Sequence, residues 1–395
     1  MHTRRINSNT IRRINVARVF HGIRKNQGIS PQVLSKETGI DLATISIILG
    51  ALEQDGLVLR TLQPKTGRSG RPSSQLSINE SSGVLAGVAV DTDQTQIVLC
   101  SYAGTKMAQL SVPGSMDIET AASAIKAGLM KALKQAGLSL KALSGVGIGM
   151  PGLVGLDGRL ALAPGLHWHD VDFAGILRKS LGVPVYLEND IKAAANAESL
   201  FGSGVHEPDF IYLSGRLGLG GGLYLGNGVY RGPHGMAGEV GHMKLVPGGR
   251  LCVCGGRGCF EAYVSERAFL TQVQEAGLNL PDIEAILAAA QQGEPKLLAI
   301  LSEAGHYLGL GMANLVNIFA PSRVILGGAM ASLAAFLLPV ARPVFEANTL
   351  QEIHRDVSIT VSSLGDAAVP MGGIAIALQW FLEDPSAGGV KPLAP

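Results

Sequence analysis

Apolar residues recur at helical spacing between Asn9 and Lys25, at Ile11, Ile14, Val16, Val19, Phe20 and Ile23, with Arg and Lys on the remaining face. The spacing predicts a first amphipathic helix. Ser30-Pro31 predicts a second, an N-cap followed by a proline whose fixed φ suits the first turn, and Thr38-Gly39-Ile40 closes it on glycine. Asp41 caps a third helix, LATISIILGALEQD, that ends at Gly56. Helix, glycine turn and helix in this order form the helix-turn-helix pattern, whose last helix lies in the DNA major groove and would offer Ala43, Thr44 and Ser46 to base edges. The segment LVLRTLQPKTGRSGRPSSQLSIN then alternates as two short strands around a tip rich in Gly, Arg and Pro. This is a wing, and its Arg68 and Arg71 suit the negative potential of a minor groove. The third helix carries no Arg or Lys and has Ile47 where a basic residue would help, so affinity is expected from the first helix and the wing. A three-helix protein-interaction domain with a solvated basic loop is the alternative reading of this segment.

Past residue 80 the period shortens. GVLAGVAVD, QIVLCSYA and KMAQLSV predict a three-stranded antiparallel meander over 83–112, followed by a helix from Glu119 to Ala136. The strand GVGIGM runs into Pro151-Gly152, and VPVYLEND leads into the helix IKAAANAESLFG. FIYLSG, LGGGLYLG and GVYRG predict a second set of strands, followed by the helix HYLGLGMANLVNIF and the strand RVILGG. This repeated order predicts an α/β body of two lobes with a ligand cleft between them. The expected domains are a winged helix-turn-helix at 1–80, a first lobe at 81–200, a second at 201–382 and a flexible tail at 383–395.

With 47% hydrophobic and 16% charged residues among 395, the chain has apolar material for two or three domains, which excludes a disordered or fibrous protein. No apolar run approaches the roughly 18 residues that cross a bilayer, and the N-terminus lacks the apolar core of a signal peptide. The expectation is a soluble cytoplasmic protein with no membrane partner. The net charge of +1 hides an asymmetry: residues 1–80 hold 12 Lys and Arg against 5 Asp and Glu, a charge of +7, which leaves 20 against 26, or −6, for the rest. A basic head on an acidic body predicts that only the head meets a polyanion such as operator DNA.

His242, Cys252, Cys254 and Cys259 fall within eighteen residues, in GHMKLVPGGRLCVCGGRGC, and use three of the four cysteines. Zinc takes thiolates and imidazole in a closed tetrahedron, and Gly255, Gly256 and Gly258 let the backbone turn tightly enough to gather the sulfurs. The set predicts a structural Zn2+ knuckle rather than disulfides, which would need an oxidising compartment. Four ligands leave no open position, so chemistry must come from neighbouring residues.

GLGGGLYLGNGVYRGPHGMAGEVGH, the Glu-Asn-Asp at 188–190, the CVCGGRGCFE knuckle and the winged helix together resemble the ROK family of repressors, open reading frames and sugar kinases, from about Thr10 to Leu378. The resemblance implies an actin-like ATPase fold, and the winged helix places the chain with repressors of the xylose and N-acetylglucosamine type. In family kinases the Asp of the Asn-Asp pair takes the proton from a sugar hydroxyl, so Asn189 and Asp190 map to that pair. Glu239, His242 and Glu261 map to the hydroxyl-binding set, and Gly152 to the backbone that touches the ring. A helix N-cap is the other reading of Asp190, and the two roles can coexist. Carboxylates and an amide suit hydroxyls, which donate and accept together.

Family kinases hold ATP phosphates on an Asp-x-Gly-Gly-Thr turn, which here reads Asp91-Thr92-Asp93-Gln94-Thr95, and on a Gly-Thr-Gly loop, which here reads Arg216-Leu217-Gly218. A carboxylate at Asp93 repels phosphate, so no useful ATP binding and no enzyme activity are expected. The expected function is a sugar-responsive transcriptional regulator, a repressor of carbohydrate uptake or catabolism genes. It would bind a sugar or sugar derivative in the interlobe cleft and DNA as a homodimer or tetramer. A sugar kinase with an attached DNA-binding head is the alternative, and control by a protein partner is a third reading.

Overall fold

The computed structural model describes residues 8–62, 74–215 and 218–383. The head folds as expected: α1 spans Ser8–Lys25, α2 Pro31–Thr38 and α3 Leu42–Gln54, followed by the hairpin β1, Val58–Leu62, and β2, Ser74–Ile78. Each helix signal does its predicted work. The Ser30 side chain accepts from Val33 N, Gly39 closes α2 at φ 66°, and the Asp41 side chain accepts from Thr44 N. Val16, Val19, Phe20 and Ile23 of α1 are buried with Leu34, Ile45 and Leu49. Ile11 and Ile14, read as part of the same face, are half exposed at 50% and 51%, because α1 begins before the bundle that covers its later turns. The hairpin pairs in antiparallel register from Val58 with Ile78 to Leu62 with Ser74. The wing tip with Arg68 and Arg71 lies outside the described residues.

The body begins with the expected meander, β3 (Val84–Ala89), β4 (Gln94–Ser101) and β5 (Lys106–Pro113), and α4 (Ile118–Gln135). Then come β6 (Leu143–Met150), the small strands β7 (Leu153–Val154), β8 (Leu160–Ala163) and β9 (Trp168–Val171), α5 (Phe173–Leu181), β10 (Val185–Asn189) and α6 (Asp190–Phe201). The second half holds β11 (Phe210–Ser214), β12 (Gly220–Tyr224), α7 (Glu261–Val264), α8 (Glu266–Glu275), α9 (Ile283–Gln291) and α10 (Pro295–Phe319). It closes with β13 (Arg323–Gly327), α11 (Gly328–Ser332), α12 (Ala334–Asn348), α13 (Gln351–His354), β14 (Ser358–Val361) and α14 (Ala368–Glu383).

Packing divides the chain into two compact units that are not consecutive in sequence, unlike a division at residue 200. The first comprises 1–148, 172–187 and 373–395, and the second 149–171 and 188–372. The main sheet of the first runs β10-β6-β3-β4-β5. Here β6 and α14 approach so closely that a Cβ on Gly147 would lie 1.9 Å from Gly373 O. The sheet of the second runs β12-β11-β13-β14, with β11, β13 and β14 parallel and β12 antiparallel. The segment GVYRG, read as a strand, contributes only an isolated bridge from Val229 to Tyr224, since Gly232 at φ 68° turns the chain away. Among the described residues one segment, Gly365–Leu382, is long and apolar enough to cross a membrane, contrary to the expectation that no apolar run approaches that length. It is 72% buried inside the protein, as a core helix is.

Candidate functional site

Six residues expected to form a sugar site, Gly152, Asn189, Asp190, Glu239, His242 and Glu261, all belong to the second unit. The glycine run at 218–222, between Asp190 and Glu239 in sequence, explains how these two are held. In β12 successive side chains point to opposite faces, so Gly220 and Gly222 face α6 while Gly221 faces the other way. A Cβ on Gly220 would lie 2.5 Å from Ile191 Cγ1, one on Gly222 2.5 Å from Ala195 Cβ, and one on Gly221 2.6 Å from Val240 Cγ2. The strand is bare so that the start of α6 can pack on one side and the 238–242 turn on the other. Gly221 N donates to Gly238 O at 3.2 Å. Asp190 and Glu239 are thereby mounted on two elements that share one strand.

Asn189, rather than Asp190, caps α6. Its Oδ1 accepts from Ile191 N and Lys192 N, both at 3.1 Å, and its Nδ2 donates to Gly152 O at 3.0 Å. The amide therefore ties the Gly152 loop to the start of α6. Gly152 itself sits at φ 129°, with Leu162 O 2.4 Å from where a Cβ would be, so no side chain fits. Asp190, the first residue of the helix, is half-buried, and its Oδ1 accepts from Ile191 N at 2.9 Å. Burial, with the Glu239 carboxylate adding to it, pushes its pKa up to about 6. Glu239 is exposed, and its carboxylate does not cap the short turn Val240–His242 that it opens.

Lys192 and the Glu188–Arg231 pair escaped the sequence reading. The Lys192 side chain is 2% exposed and its Nζ donates to Gly235 O at 2.7 Å. Arg231 Nε donates to the buried Glu188 Oε2, also at 2.7 Å. Both bonds run from 188–192 to 231–235, so they brace the loop that carries Glu239 against the segment that carries Asp190. Burial lowers the Lys192 pKa, opposed by Glu188 and Glu239. The residues offer one sequence signal, a charged Lys inside the otherwise small and apolar run of α6. Their partners lie 43 positions away in sequence, where no periodicity reports them.

The knuckle ligands come together. One donor atom each from His242, Cys252, Cys254 and Cys259 lies within 4.8 Å of the others, with Cys252 Sγ 3.8 Å from His242 Nδ1 and Cys254 Sγ 3.7 Å from Cys259 Sγ. Those separations fit donors about 2.0–2.3 Å from one tetrahedral ion, so the cluster can hold a metal ion, and its soft donor set is consistent with zinc. The turn that gathers the sulfurs needs Gly258, at φ 74°, where a Cβ would stand 1.7 Å from Val246 O. Lys244 Nζ donates to Cys259 Sγ at 2.7 Å, which sets a cation against the cluster of sulfurs. Glu261, two residues past the last ligand, is buried. Its Oε2 accepts from Leu219 N at 3.2 Å and its Oε1 faces Cys252 Sγ at 3.8 Å. Glu261 thus joins the knuckle to the first residues of the glycine strand.

In the head, Ala43 and Ser46 are exposed on α3 and Thr44 is partly so. The Thr44 hydroxyl donates to Asp41 Oδ2 at 2.7 Å, and the Ser46 hydroxyl donates to Leu42 O at 2.8 Å.

Residues 85–380 match the ROK family. The chain is 31% identical over 395 residues to the xylose repressor of Caldicellulosiruptor bescii, across 96% of this chain and 99% of that protein. It is 30% identical to the xylose repressor of Bacillus subtilis, across 94% and 97%. The glucokinase of Streptomyces coelicolor is also 31% identical, but over 59% of this chain and 80% of the kinase. Among solved structures, a ROK family transcriptional regulator homologous to the Escherichia coli MLC protein has a TM-score of 0.82 at 27% identity, covering 95% of this chain and 98% of its own. A ROK glucokinase from Streptomyces griseus, in complex with glucose and AMPPNP, has a TM-score of 0.65 at 28% identity and covers 74% of this chain and 98% of its own. With the body matched throughout, and the head matched as well by the repressors, the chain belongs to the ROK family.

Proposed function

We propose that the protein is a sugar-responsive transcriptional repressor of carbohydrate genes, acting in the cytoplasm on operator DNA as a homodimer or a pair of dimers. The observation that carries the reading is the capped helix-turn-helix with its hairpin, joined to the ROK body in one chain. The repressor and the solved regulator cover 96% and 95% of this chain, head included, whereas the glucokinases cover 59% and 74% of it. A dimer brings two basic heads to a pseudo-palindrome, with Ala43, Thr44 and Ser46 on the helix that enters the major groove and Arg68 and Arg71 on the wing.

The effector site is the set Gly152, Asn189, Asp190, Glu239, His242 and Glu261. Asp190 and Glu239 accept hydrogen bonds from sugar hydroxyls, Asn189 fixes the Gly152 backbone, and His242 holds a structural Zn2+ through Nδ1 while its Nε2 faces the sugar. Zinc supplies rigidity here: held by His242, Cys252, Cys254 and Cys259, it fixes where Glu261 and His242 stand. A sugar that favours one of two protein states changes DNA affinity by the same factor by which DNA changes sugar affinity.

The chain is not a kinase in this reading. Asp93 brings an exposed carboxylate to the turn between β3 and β4, and Asp91 Oδ1 already accepts from Thr92 N at 2.7 Å. Gly114 packs on the same turn, its Cβ position 2.4 Å from Asp91 O and Thr92 O. Arg216 and Leu217 of the second phosphate loop lie outside the described residues.

Fluorescence anisotropy on DNA from upstream of the gene, at fixed salt and titrated with sugars, tests the reading. Specific binding shifted by one sugar is the expected result. ADP release with sugar and Mg-ATP, without specific DNA binding, would move the assignment to the kinase.

A further inference from the structure

We propose that Ile47 reads thymine C5-methyl groups in the major groove, so that the operator half-site is defined by apolar contact from α3 rather than by its hydroxyls. The inference rests on the repressor reading above and goes beyond it to the chemistry of base recognition.

Five facts converge on this side chain. On α3 the buried residues are Ile45, Ile48, Leu49 and Leu52, while Ala43, Ser46, Ile47 and Gly50 are exposed on the other face. Ile47 is 69% exposed, more than any other large hydrophobic residue among the described residues. Its neighbours on that face are an alanine, a serine and a glycine, so its branched end is the group that projects furthest toward a partner. The two hydroxyls that might read donors and acceptors, Thr44 and Ser46, are bonded within their own helix turn. The longer polar groups are no better placed: Glu53 pairs with Arg60 at 2.6 Å, and Gln54 is the last residue of α3.

The partner that fits is a polyanion. Exposed Arg13, Arg18 and Lys25 on α1 and Lys36 on α2 belong to a head of charge +7, and phosphate contacts from such residues position a protein without specifying sequence. The base edge that offers an apolar group in the major groove is thymine, through its C5-methyl. An aliphatic side chain held forward by a charge-steered helix therefore recognises T·A pairs by burying that methyl.

The test uses the full-length protein and a duplex pool randomised over the half-site, followed by anisotropy on the selected duplex at about 0.1 M salt. Each thymine is then replaced by deoxyuridine, which removes the methyl alone. The expected result is about a fourfold loss for the wild type at one or two thymines per half-site, the size of one buried methyl group. Ile47→Ala should bind about tenfold more weakly, show no loss at those positions and keep the salt slope; Ile47→Val should keep part of the sensitivity. Because Ile47 is exposed, both variants should melt with the wild type. Deoxyuridine without effect at every thymine, or an Ile47→Ala protein that keeps the wild-type pattern, overturns the proposal while specific binding keeps the repressor reading. A wild-type protein that enriches no sequence overturns both.

Discussion

Replacing Lys192 by methionine keeps the volume of the side chain and removes its charge and its donor. The wild-type ammonium is 2% exposed and bonded to Gly235 O at 2.7 Å, between Glu188 and Glu239. A hydrogen bond from a charged group contributes about 1.5–3 kcal/mol, part of which is offset because the variant no longer desolvates an ammonium. A net loss of about 2 kcal/mol follows, which lowers Tm by about 2 °C for a chain of 395 residues that unfolds as one. The larger effect should fall on sugar binding. The loop that carries Glu239 then loses one of its two side-chain braces and keeps the Arg231–Glu188 pair and the Gly221–Gly238 backbone bond, and misplacing one charged acceptor should weaken sugar affinity about tenfold. A pH titration sharpens the test. In the proposed site an ionised Asp190 accepts a hydrogen bond from a sugar hydroxyl, so sugar binding should hold above pH 6, near the Asp190 pKa, and fade as pH falls through it. Lys192 lowers that pKa, so in the variant the midpoint must move up, toward neutrality. Isothermal titration with xylose and other monosaccharides from about pH 5 to 8 reads both effects. A Lys192→Met protein with wild-type affinity and an unmoved midpoint would refute the argument and reduce Lys192 to a space filler.

Other outcomes follow from the same geometry. Asp190→Asn should flatten the pH dependence of sugar binding while leaving the Asn189 cap and the melting curve nearly unchanged; a surviving midpoint near pH 6 would assign the titration elsewhere. Cys252→Ser, or removal of metal by a chelator, should expose 242–260 to proteolysis and abolish sugar affinity, with one zinc per chain in the untreated protein by atomic spectroscopy; unchanged affinity in metal-free protein would take the knuckle out of the site. Gly147→Ala places a methyl 1.9 Å from Gly373 O and should cost at least ~3 kcal/mol or prevent folding. Gly50→Ala, with nothing within 4 Å, should stabilise α3 by about 0.5–1 kcal/mol in a thermal melt.

What the sequence revealed was local. The caps at Ser30 and Asp41, the αL glycine at 39 and the four knuckle ligands are written within a few residues of the structure they make; the caps and the glycine end their helices as expected, and the four ligands come together where one metal ion could be held. The meander of β3, β4 and β5 was legible for the same reason, since neighbouring strands are consecutive in the chain. The misreadings arise where partners are distant or where pattern is weak. Asn189 takes the cap because its amide also reaches Gly152, 37 positions away. The run LGGG was legible as a strand, but not the reason for its glycines, which admit Ile191, Val240 and Ala195 from elements far off in sequence. The helix α14 is apolar on nearly every side, so it offers no periodicity to read.

The interleaving of the two compact units bears on how such a protein can diversify. The backbone passes between them at 148/149, 171/172, 187/188 and 372/373. A single recombination event inside the body therefore severs at least one unit. All six proposed effector-site residues sit in a unit assembled from two inserts, so a graft of effector specificity must carry 149–171 and 188–372 together. The head is one uninterrupted segment that ends with β2 at Ile78, and a single crossover near residue 80 exchanges it whole. Operator preference can then be traded between relatives in one step, while a change of effector needs two separate segments exchanged together.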